Sequence, residues 1–206
     1  MRPAPTVVKL GGSHAFSEHL AGWVKAIAGC AGHVVVVPGG GPFADAVRDA
    51  QPKIGFSDNA AHHMALLAME QYGCALASLN GIFVLADSPA AIRQALDAAK
   101  VPVWMPSRMA LAAEDIPASW EVTSDSLAAW LAGRLSARQL LLVKHVSLGA
   151  ATVSSPELIA RDIVDKAFAK FLETARVPAV LLGPTDQALL GGVIGPGPTI
   201  GIRIDP

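Results

Sequence analysis

The stretch TVVKLGGS, residues 6–13, carries a lysine through an otherwise apolar run and follows it at once with a glycine pair. A lysine at the end of a buried strand needs an anionic partner, because an unpaired ammonium is costly to desolvate. Gly11 and Gly12 let backbone N–H groups approach an anion, and Ser13 is placed to cap a following helix whose positive end faces the same way. About one strand-helix unit later VVVVPGGGP, residues 34–42, repeats the arrangement with Gly39, Gly40 and Gly41. Two such turns outline a phosphate cradle. The plainer readings are that Lys9 snorkels to the sheet edge and that GGGP is a tight turn. GGGP matches neither the dinucleotide fingerprint nor the P-loop.

Other chemistry-bearing residues are scattered. Asp125, inside Thr123-Ser124-Asp125-Ser126, is either a helix cap or a carboxylate that holds a phosphate-binding lysine. Lys144 and His145 reach the end of a late strand much as Lys9 does. His62 and His63 are neighbours on a helix, cannot share a face and are poor metal ligands as a pair. Each reads as a core or interface residue, with His63 kept as the one that reaches a substrate. Trp104, Met105 and Arg108 suit either a ring-bearing anion or a partner subunit. No metal-ligand set is expected.

These residues need elements to place them. Strands are expected at 7–10, 33–37, 81–86, 101–105, 139–146, 179–182 and 199–204. Helices are expected at 15–28, 43–50 running on to Pro52, 59–72 with Asp58 as N-cap and Gly73 as the stop, 89–100, 127–135 and 163–175. Residues 107–115 read as a strand extension or an irregular connection, and 147–156 as loop. Strands alternating with helices predict an α/β fold, a mostly parallel central sheet covered on both faces.

The 206 residues are 52% hydrophobic and only 16% charged. A mean hydropathy of +0.43 leaves little polar surface, so part of the apolar excess is expected in a homo-oligomer interface. No apolar run reaches the roughly 20 residues of a membrane span, and no secretory leader is recognisable. With only Cys30 and Cys74, a cytoplasmic chain without a disulfide framework is expected. A net charge of −1 provides no footprint for nucleic acid.

KLGGS, VVPGGGPFADAVR, the TSDS cluster and the late LLLVKHV strand together resemble the amino acid kinase family over nearly the whole chain. DNAAHHMALLAMEQYG and VPVWMPSRM are most similar to its branch acting on aminomethylfuranylmethyl phosphate in methanofuran biosynthesis. The resemblance implies an αβα three-layer sandwich, a single domain over 1–206. Its acceptor-binding half would be about 1–120 and its nucleotide-binding half about 121–206. It implies ATP, Mg²⁺ and a small-molecule phosphate substrate. Lys9 would contact the transferring phosphoryl group, and Asp125 would organise the lysine. Gly11, Gly12, Ser13, Gly39, Gly40, Gly41, His63 and Arg108 would bind phosphate or substrate; Lys144, Gly183 and Lys166 would bind nucleotide. Residues 144–149 read KHVSLG where the family carries an acidic turn. The alternative is therefore a catalytically silent relative that binds a small anion or assists a biosynthetic complex.

Overall fold

The computed structural model describes residues 3–194 and 201–206. Its strands are β1 (Thr6–Leu10), β2 (Val34–Pro38), β3 (Phe83–Ala86), β4 (Val101–Trp104), β5 (Gln139–Val143), β6 (Thr152–Ser154), β7 (Ala179–Leu182) and β8 (Ile202–Asp205). Its helices are α1 (Leu20–Ala28), α2 (Gly41–Ile54), α3 (Asp58–Ser78), α4 (Pro89–Asp97), α5 (Ser107–Ala110), α6 (Ser124–Arg134), α7 (Ser155–Ala160), α8 (Phe168–Ala175) and α9 (Leu190–Ile194). The strands form one sheet of order β3-β4-β2-β1-β5-β7-β8-β6, in which only the β7–β8 pair is antiparallel.

The central strands are continuous apolar runs because both faces of the sheet are covered. Val7 of β1, Val35 and Leu140 pack with Leu127, Ala128 and Leu131 of α6. Val8 and Leu10 pack on the other face with Trp23, Val24 and Ile27 of α1. Strand alternation therefore puts Lys9 on the face that α6 covers. Lys9 lies beside Leu142 of β5 in parallel register, so Lys144, two residues on, shares that face. The sheet order reverses at β1, with β2 on one side and β5 on the other. Such a switch point opens a crevice beyond the carboxyl ends of the strands.

Several boundaries differ from the sequence reading. Instead of a helix from Ala15, the chain makes a 3-10 turn at Gly12–His14 before α1, and leaves Phe16 89% exposed. Ser57, not Asp58, caps α3 by accepting the Ala60 N–H at 3.3 Å. Gly73 does not end that helix. A Cβ there would stand 3.3 Å from Val103 and Met105, so the glycine serves close helix-sheet packing. Pro52 lies in the last turn of α2, and Gly55 at φ +82° ends it. Residues 107–110 form the one-turn helix α5, and the supposed loop at 147–156 contains β6 and opens α7. The late strand stops at Val143, the helix placed at 163–175 begins at Phe168, and the last strand begins at Ile202. Thr199 and Ile200, expected in that last strand, lie outside the described residues.

α6 is an inner helix, buried from Ser124 to Ala132, with α8 as its outer cover. Phe168→Ala, which empties a fully buried site of α8, is expected to cost about 3–5 kcal/mol of unfolding free energy. Phe16→Ala is expected to stay within about 0.5 kcal/mol. Urea denaturation of the two variants measures the difference.

Candidate active site

The amino end of α6 faces the carboxyl ends of β1 and β5, and Asp125 in its first turn bridges two lysines. Asp125 Oδ1 lies 2.8 Å from Lys9 Nζ, and Oδ2 accepts a hydrogen bond from Lys144 Nζ at 2.7 Å. The three side chains are only 5% (Lys9), 5% (Asp125) and 13% (Lys144) exposed. Two largely buried ammoniums thus share one carboxylate, which leaves the cluster with a surplus positive charge.

Burial and the neighbouring charges together set the titration of the site. Burial lowers the Lys9 pKa to about 8; Asp125 opposes the fall and Lys144 adds to it. Burial pushes the Asp125 carboxyl up, but the charges of Lys144 and Lys9 outweigh it and hold the pKa at about 2. Since this value lies below the ordinary 3.8, Asp125 contributes stability above pH 3.8 that is lost as pH falls through about 2.

Beside the lysines, the two glycine turns interlock. A Cβ on Gly12 would strike the backbone of Gly41, and one on Gly39 would lie 3.0 Å from the Gly11 carbonyl carbon. Gly41 adopts φ +54°, a region that favours glycine. The turns and lysines floor a cleft of about 440 Å³. Lys9, Gly11, Gly12, Ser13, Gly40, Gly41, Asp125 and Lys144 all line it, and Gly39 supports the turn from behind. His62, Arg48 and Trp120 wall its outer part. The Trp120 indole N–H donates to Gln51 Oε1 at 2.6 Å, and the Arg48 guanidinium lies 4.5 Å over the indole while pairing with Asp45 at 2.9 Å.

Other residues that the sequence pointed to lie elsewhere. His63 is exposed and outside the cleft wall; its neighbour His62 occupies that wall, and the 100° step between adjacent helical residues separates them. Arg108 is exposed and paired with Asp87 at 3.1 Å. Trp104 is fully buried against Trp130, so the 104–108 segment is core and edge. Lys166 is exposed beside Glu121 at 3.7 Å. Gly183 donates its N–H to Asp186 at 2.7 Å beyond the end of β7, outside the cleft lining.

Sequence reasoning missed Trp120, Arg48 and Asp165. Arg48 had a legible signal, seven residues after Gly41 on the same helix. Asp165 had none, because its partners are about 40 positions away. It accepts from the Thr123 N–H at 3.0 Å, the Thr123 hydroxyl at 2.8 Å and the Ser126 N–H at 3.0 Å. It also accepts from the Ser126 hydroxyl. Thr123 and Ser126 flank Asp125.

The family model for the amino acid kinase family matches residues 4–147. The chain belongs to the amino acid kinase family. Among curated relatives, [5-(aminomethyl)furan-3-yl]methyl phosphate kinase of Methanocaldococcus jannaschii is 27% identical over 144 residues, 68% of this chain. The match spans 65% of that relative's length. Uridylate kinase of Archaeoglobus fulgidus superposes with a TM-score of 0.74 at 18% identity, covering 98% of this chain and 100% of that one. The UMP kinase of Ureaplasma parvum gives 0.72 at 14% identity, with both chains fully covered. These structures share the amino acid kinase fold, an α/β sandwich about a mostly parallel sheet, as the sequence predicts. No helix among the described residues is long and apolar enough to cross a membrane.

Asp125→Asn leaves buried Lys9 and largely buried Lys144 without their shared counter-charge and is expected to cost about 3–5 kcal/mol. Lys9→Met leaves the Asp125–Lys144 pair intact and is expected to cost clearly less. Urea unfolding at pH 7 ranks the two, and equal losses would contradict the shared-carboxylate account.

Proposed function

We propose that the chain is a cytoplasmic, ATP-dependent phosphotransferase whose acceptor is itself a small phosphate monoester. Aminomethylfuranylmethyl phosphate is the specific acceptor proposed. The observation that carries this reading is Asp125 bridging Lys9 and Lys144 at the floor of a cleft rimmed by Gly11, Gly12, Gly40 and Gly41. Surplus buried positive charge with converging backbone suits a transferring phosphoryl group, whose reaction depends on positioning and charge neutralisation. An oxygen of the acceptor phosphate forms a bond to the γ-phosphorus as the bond to the β,γ-bridging oxygen breaks and ADP leaves. The acceptor phosphate is already anionic, so the step needs no general base.

In this reading residues of the first half, 1–120, hold the acceptor and those of 121–206 hold the nucleotide. Arg48 and Trp120 close the outer cleft around the acceptor's ring, and Asp45 on the same wall meets its amine. Lys144 takes the nucleotide-side cation, in place of Lys166 and away from Gly183. Mg²⁺ has no ready ligand set: among the described residues no three His, Cys, Asp or Glu side chains could hold a metal, and Asp125 is occupied by two lysines. The ion would be held by the phosphates of ATP, whose charge it offsets. Met64 and Leu67, exposed along α3, support self-association, which light scattering reads directly.

A lysine at 144 where the family carries an acidic turn favours the second reading, a silent anion binder. A coupled ADP-release assay with the furan phosphate decides between them: turnover supports the kinase, and phosphate binding without turnover supports the binder. Lys9→Ala is expected to lower kcat by about 10²–10³.

The alkaline limb of kcat/KM is expected near pH 8, where free Lys9 loses its proton. The limb of kcat should lie higher, since bound phosphates favour the ammonium. Trp120→Ala is expected to raise the acceptor KM about tenfold while the ATP KM holds.

A further inference from the structure

Asp165 lies between α7 and α8, outside the lining of the cleft, yet the four hydrogen bonds that its carboxylate accepts come from Thr123 and Ser126, on either side of Asp125. Thr123 stands at the N-cap of α6, and its own hydroxyl is chemically able to cap the Ser126 N–H three residues on. It makes no such bond. Thr123 instead donates that hydroxyl to Asp165, and the Ser126 N–H also goes to Asp165. A local, uncharged cap has been replaced by a carboxylate from a distant segment. The replacement carries a cost, since burial and the neighbouring Asp125 charge both raise the Asp165 pKa, against the pull of the Ser126 and Thr123 hydrogen bonds. Capping alone does not require that cost.

What the distant carboxylate adds is a fixed rotation. Side chains reach about 5–6 Å from a helix axis. A rotation of about 20° therefore carries the tip of the Asp125 side chain by about 2 Å, enough to break contacts of 2.7–2.8 Å to the two lysines. We propose that Asp165 is a positioning residue: by gripping Thr123 and Ser126 on either side of Asp125, it locks the first turn of α6 so that the Asp125 carboxylate spans Lys9 and Lys144.

The proposal rests on the phosphotransfer reading only for its kinetic arm, and the experiment keeps the two separate. The first readout is the titration of the Lys9 ammonium, followed by NMR of the ¹⁵N-lysine-labelled full chain, with Lys9→Arg for assignment. The charged and titratable groups about it are Asp125, Lys144, His14 and, through Asp125, Asp165. In Asp165→Asn the Lys9 midpoint is expected to fall about one unit below its wild-type value, because its carboxylate partner is no longer held in place. The second readout is steady-state kinetics, where kcat is expected to fall by about 10–10²-fold with little change in the ATP KM. A folded Asp165→Asn protein that is merely less stable in urea, with the Lys9 midpoint unmoved, would overturn the proposal and leave Asp165 as a cap. If that variant does not fold, Ser126→Ala removes one of the four donors. A smaller downward shift there supports the proposal, and none overturns it. If wild-type protein shows no turnover, the kinase reading fails while the Lys9 titration still decides the role of Asp165.

Discussion

Holding two largely buried ammoniums beside one carboxylate is the constraint on which the rest of the site depends. Lys9 lies on β1 and Lys144 follows directly on the end of β5, its parallel neighbour, so both project from one face and their heads converge on Asp125. Such convergence would be repulsive without an acid at the same depth. Asp125 supplies it from the first turn of a helix, where the backbone N–H groups also favour negative charge. The sheet sets the cations and α6 sets the anion. The sandwich around them, with α8 over α6 and α1 on the far face, keeps both in place.

The same arrangement explains why the site is both costly and useful. A neutral pair would have satisfied folding, whereas one carboxylate between two lysines leaves a positive surplus with little water around it. Burial depresses Lys9 below its ordinary range, with Lys144 adding to the fall and Asp125 opposing it. The interlocked glycines are held as closely, because side chains at Gly12 or Gly39 would collide with the opposing turn. The lysines and the glycine backbone are thus held in fixed positions by the fold itself, the condition under which electrostatic stabilisation is most effective.

The kinship with the amino acid kinase family, matched over residues 4–147, fits this physical picture. The acidic turn expected after the late strand is replaced by Lys144 and His145, and the structure directs Lys144 back to Asp125. His145 remains at the surface, its ring 5.5 Å from that of buried His14, which burial and then the His145 charge lower to about 4. The outer cleft is equally particular: a guanidinium stacked on an indole that is itself tied to α2 makes a stiff wall from three residues.

Local information was enough for much of this. Apolar runs ended by glycine determined β1 and β2, their parallel pairing class and the placement of Lys9 at a strand end, because strand burial and glycine's conformational range are properties of short segments. The sequence left Asp125 balanced between cap and lysine partner. Only the tertiary structure decided it, since that choice depends on where α6 lands relative to β1 and β5. That His62 and not His63 lines the cleft, that Lys144 and not Lys166 meets Asp125, and that Arg108 pairs with Asp87 at the surface depend in the same way on helix phase and packing. Asp165 was legible least of all. Its meaning lies entirely in two residues about 40 positions away, and no periodicity or spacing encodes a contact made through space.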